Sequence, residues 1–92
     1  MTKASNMLAS VPILDISMPD KEWQDRVKGL LKAELKRRNV GYRALAERLA
    51  ALGISETETN IKNKISRGGF TAVFFVQCLV AIGARDLRLP DG

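Results

Sequence analysis

The residues of this chain best suited to chemistry are Asn60, Asn63 and Arg67, because Asn and Arg side chains can form paired hydrogen bonds with adenine and guanine edges. They lie in Ile54–Gly68, ISETETNIKNKISRG. Within that run Ile61 and Ile65 are four apart, which makes one apolar ridge on a helix. At about 100° per residue, Glu56, Thr59, Asn60, Asn63 and Arg67 fall on the opposite face. Lys62 and Lys64 flank it. Ser55 and Glu58 have the spacing of a capping box, which predicts a helix over 56–66 with Ser55 as its cap. Glu58 is explained by that cap. Glu56 is not, and on an exposed end of the helix it would oppose a phosphate wall, although a carboxylate can accept a hydrogen bond from cytosine N4.

Other chemistries drop out by absence. The chain has no histidine, so imidazole catalysis and His metal ligation are excluded. Its one cysteine, Cys78, sits in the apolar run FFVQCLVAIG and is expected to pack rather than react. One cysteine cannot make an internal disulfide or a multi-Cys zinc site. Ser66-Arg67-Gly68-Gly69 lacks the Gly-Lys-Ser/Thr of a phosphate loop. No enzyme activity, cofactor, metal or small-molecule ligand is therefore expected. Neither a signal peptide nor a run long enough to span a bilayer is evident, so the cytoplasm is the expected compartment and no membrane partner is expected.

Four helical segments must position the Asn-rich face. Asp20 is a fair cap for the first, with Trp23, Val27, Leu30 and Leu31 as its apolar stripe and Leu35 at the edge. Glu34 falls near the centre of that stripe and should pair with Arg38, one turn on, or with a cation from another helix. Lys36, Arg37 and Arg38 crowd the last turn, where cations are favoured. The second helix should run over 42–52, with Leu45, Ala46, Leu49 and Leu52 facing the core and Gly53 stopping it. The fourth, 72–82, should be capped by Thr71, with Phe70 and Phe75 as a hydrophobic staple. It is apolar nearly all round, so it needs cover on several sides.

With 92 residues the chain is one domain, read as an N-terminal arm (1–19), a helical domain (20–84) and a tail (85–92). The net charge of +5 is confined to the helical part, which holds twelve Lys or Arg against seven Asp or Glu. That placement favours an anionic partner. The arm contains SVPILDISM at 10–18, which could form a short edge strand with Leu87–Leu89, in the same chain or in a second copy.

LAERL at Leu45–Leu49, the segment Ile54–Gly68 and the ending AIG at Ala81–Gly83 resemble the lambda-repressor-like helix-turn-helix superfamily. The run from Leu31 to Phe70 also looks like a family of small uncharacterised bacterial domains with that core. The resemblance spans roughly residues 23–84 and implies an all-α fold of four to five short helices. Five residues, Ala50 to Ile54, separate Leu49 from Ser55, more than in a typical superfamily member. The resemblance implies a small transcriptional regulator that binds duplex DNA, as a homodimer, with its recognition helix at about 56–66. Thr59, Asn60 and Asn63 would reach base edges. Arg67 would read guanine or grip a phosphate, and Lys62 and Lys64 would flank the groove. Tyr42 and Arg43 would approach the backbone. The competing expectation is a protein-interaction adaptor or antitoxin-like module on the same fold, with helix four and the arm as its interface.

Overall fold

A computed structural model describes residues 19–89. It is all-α, with four helices: α1 (Pro19–Arg37), α2 (Tyr42–Ala51), α3 (Glu58–Arg67) and α4 (Ala72–Ala81). Among the described residues there is no strand. Residues 84–89, including the expected strand Leu87–Leu89, lack regular structure. The expected strand in the arm lies outside the described residues.

The helix ends follow from residues that tolerate left-handed backbone. Asn39 (φ 58°) closes α1, and the Val40 N–H donates to the Leu35 carbonyl at 2.9 Å. Gly53 (φ 82°) closes α2, with the Ile54 N–H donating to Leu49 at 2.9 Å. Gly83 closes α4 in the same manner, through Ala84 and Leu79. Each pairs a carbonyl of the last turn with the third residue beyond the helix, and in each the two residues so joined are apolar. The three turns thus end a helix and redirect the chain toward the core at once.

The core is Leu31, Leu35, Val40, Leu45, Leu49, Ile61, Ile65, Phe74, Cys78 and Ile82. Helices α3 and α4 each pack against both α1 and α2. Leu35, expected at the edge of its stripe, is buried, while Trp23 at the start of α1 is 59% exposed. Leu52 is 49% exposed rather than in the core. It forms the C-cap just before the Gly53 turn, and Ile54 beyond that turn packs on the core instead. Glu34 is buried within α1, as its position required, and pairs with Arg38 at 3.4 Å and also with Arg37. At α4, Thr71 Oγ1 accepts from the Phe74 N–H at 3.0 Å, and the Phe70 and Phe75 rings lie 6.0 Å apart. The expected cap and staple are both present.

Gly68 ends α3 at φ 75°, and a Cβ placed on it would stand 3.1 Å from the Gln24 carbonyl oxygen of α1. Gly53 has a similar φ but open space around it. Alanine at either position should lose about 1–2 kcal/mol from left-handed backbone alone. Gly68→Ala should lose more than Gly53→Ala, because it also pushes α3 away from α1. Denaturant unfolding of the two variants checks this, and equal losses would mean that the contact with Gln24 is not a constraint.

Candidate nucleic-acid interface

Helix α3 begins two residues later than the sequence spacing suggested. Its cap is Thr57, whose Oγ1 accepts from the Asn60 N–H at 3.0 Å. Ser55 is not the cap, and Glu58 is the first helical residue rather than the third. The capping box of Ser55 and Glu58 is therefore absent, and Glu58 is an exposed acid in the first turn. The run Ser55-Glu56-Thr57-Glu58-Thr59 offers several possible caps. The one used is Thr57, and Ile61 and Ile65 of the helix it caps are fully buried. The long spacing after Leu49 is taken up by a six-residue connection, 52–57, and not by a longer α2.

With both isoleucines buried, the remaining faces of α3 point to solvent. Thr59, Asn60, Lys62, Asn63 and Arg67 are all exposed, and Asn63 stands one turn from both Thr59 and Arg67. The structure thus brings five of the expected residues onto one surface. Tyr42 and Arg43 occupy the first turn of α2, the helix against which α3 packs. Arg43 is exposed, with its guanidinium 4.0 Å from Glu47. Tyr42 is half-buried against the core.

Lys64 and Glu56 depart from expectation together. The Lys64 ammonium pairs with the Glu56 carboxylate and lies 4.9 Å from the centre of the Phe74 ring. Only 13% of the Glu56 side chain is accessible. Glu56 is therefore not an exposed acid on the outer face of α3, and Lys64 is not a free flanking cation. Sequence spacing could not show this, because the two residues stand on either side of the Thr57 cap and the chain turns between them. Two further residues escaped the sequence reading. Lys28 of α1 donates to the Ser66 carbonyl at 3.1 Å and so satisfies an open acceptor at the end of α3. Gln24 joins Arg67, Gly69, Phe70 and Thr71 around a hollow of about 430 Å³ at the foot of that helix.

Cys78 lies in the core, and its thiol is pushed up to about 12, first by burial and then by nearby Glu56, with Lys64 partly opposing. It stays protonated at neutral pH and is no nucleophile. Among the described residues, no group of acids and thiols could hold a metal, and no helix is long and apolar enough to cross a membrane.

Glu56→Gln should destabilise the fold by about 1 kcal/mol, since the half-buried Lys64 ammonium loses its charged partner. Lys64→Met, which keeps the stem against Phe74, should lose a similar amount, and the double variant less than the sum of the two. Thermal melts of the four proteins form the cycle. Strict additivity would show that the pair is not coupled.

No curated protein and no solved structure matches the chain. The likeness to lambda-repressor-like domains gains no support from the family comparison, whereas the likeness to a family without an assigned activity does. The matching model spans residues 23–87, from the exposed tryptophan of α1 to the tail beyond α4, and so takes in all four helices except the first turn of α1. On that match the chain belongs to the family described as Domain of unknown function (DUF6471).

Proposed function

We propose that this chain is a duplex DNA-binding protein of helix-turn-helix type, with α2 and α3 as the paired helices and α3 as the element that enters the major groove. One observation carries the reading. The amides and cations of α3 (Asn60, Asn63, Lys62, Arg67) form a continuous exposed face directly behind the buried Ile61 and Ile65. A helix held by such a narrow ridge offers the rest of its circumference to a groove. The acid that would have opposed docking, Glu56, is folded back onto Lys64. Glu58 remains exposed in the first turn, where it can accept from a cytosine amino group.

In this reading Thr59, Asn60 and Asn63 meet base edges, and Arg67 meets a guanine or a phosphate. Lys62 and Arg43 contact the backbone. Lys64 holds Glu56 and serves the fold first. Tyr42 contributes its hydroxyl edge only, since its ring is partly committed to the core. A second copy would supply the second half-site. The exposed stripe Val73, Val76 and Val80 on α4 is an apolar surface suited to pairing two copies.

The same stripe favours a second reading, in which the domain is an interaction module and the valines bind another protein. DNA binding must release counterions and so weakens steeply with salt, whereas an apolar protein contact does not.

Asn63→Ala should lose about 1–3 kcal/mol on a duplex selected from a random pool, and much less on a scrambled one. Titration of wild type and variant against both duplexes provides the test. Equal losses would assign Asn63 to non-specific contacts, and no loss on either would remove Asn63 from the interface.

A further inference from the structure

A groove of about 740 Å³ runs along the outer side of α1. Its apolar lining is Trp23, Val27, Leu30 and Ala33 of α1 with Leu89 of the tail, and Arg88 also borders it. Trp23 is 59% exposed and Leu89 67%, so the apolar lining is open to solvent. The charges around it are lopsided. Asp25 is held by Lys21 at 2.9 Å, and Glu34 by Arg37 and Arg38. Arg26 stands 5.1 Å over the Trp23 ring, and among the described residues neither Arg26 nor Arg88 has an acidic partner. The groove therefore asks for an apolar segment carrying a negative charge.

We propose that its occupant is the arm of the same chain, residues 10–18, SVPILDISM, laid back along α1. Composition, reach and charge agree on this. The segment supplies Val11, Ile13, Leu14, Ile16 and Met18 and a single charge, Asp15. Pro19 opens α1, and a proline disfavours helical backbone at the residue before it. Five extended residues back from Pro19 to Leu14 span about 16 Å. Eleven helical residues forward from Pro19 to Leu30 also span about 16 Å. On the same ruler Ile16 comes opposite Asp25–Arg26 and Asp15 opposite Val27–Lys28, within side-chain reach of Arg26, the cation without an acidic partner among the described residues. The arm would then cover Trp23 by in-chain docking and leave the valine stripe of α4 free for another copy. This assignment does not depend on the DNA-binding reading.

Trp23 is the only tryptophan, so its fluorescence reports the groove directly. Acrylamide quenching and emission wavelength should be measured on the full chain at several concentrations. The same measurements are made on the full-chain variants Leu14→Asp/Ile16→Asp, Asp15→Asn and Val76→Asp, with far-ultraviolet circular dichroism confirming unchanged helix content. The wild type should show shielded, blue-shifted emission that does not change on dilution. The double variant should shift to the red, and its quenching constant should rise by about twofold, as the apolar cover leaves the ring. Asp15→Asn should give a smaller change of the same sign, and Val76→Asp none. A tryptophan equally open in wild type and double variant overturns the proposal. Shielding that is lost on dilution, or lost with Val76→Asp, assigns the groove to a second copy and also overturns it.

Discussion

The burial of Ile61 and Ile65 is the contact on which the rest of the candidate site depends. These two side chains are fully buried, and they are the only apolar residues in α3. Burying each one stabilises the fold by roughly 1.5–3 kcal/mol. Because the ridge is only two residues wide, α3 has one stable rotation about its own axis. That rotation sets Thr59, Asn60, Asn63 and Arg67 outward, in a helix that starts just after the Thr57 cap. The start in turn brings Glu56 within reach of Lys64 and removes an exposed acid from the outer face. The character of the surface thus follows from a packing choice made on the opposite side of the helix.

Both ends of α3 are tied to the same arrangement. At its C-terminus, Gly68 comes against the α1 backbone at Gln24, and Lys28 of α1 donates to the Ser66 carbonyl. At its N-terminus, the Glu56–Lys64 pair lies beside the Phe74 ring, so it also joins α3 to α4. Isolated ion pairs at a surface contribute little. This one is partly screened from water by its aromatic neighbour, and it orders a six-residue connection that otherwise has only one cap. The recognition surface we propose is therefore preorganised, which limits the entropy lost when a partner binds.

Much of this was legible in the residues themselves. Gly53, Gly68, Gly83 and Thr71 have strong local preferences, and each ends or starts a helix where those preferences place it. The period of Ile61 and Ile65 gave the orientation of α3, and hence the membership of its outer face. What could not be read was decided by contacts distant in sequence or by competition between equals. Ser55 and Thr57 are both good caps, and the local sequence does not select between them. Glu56 and Lys64 meet through a turn whose course depends on that selection. Leu52 and Trp23 look like core residues by type. One lies on the cap just before a redirecting glycine, and the other lies at a helix end where the remaining helices leave it uncovered. Two apolar surfaces consequently remain on the described residues, the α4 stripe and the α1 groove, and both are places where a further segment or copy can add stability.

In the proposed function, α3 presents its polar face to duplex DNA. The most direct measurement is the affinity of the full chain for a short duplex as a function of salt, read by fluorescence anisotropy. Measurable binding at low salt is expected, with a log–log slope of about −5 from phosphate contacts by Lys62, Arg67 and Arg43 in each of two copies. A flat slope, or no binding at low salt by a protein that is folded, would contradict it.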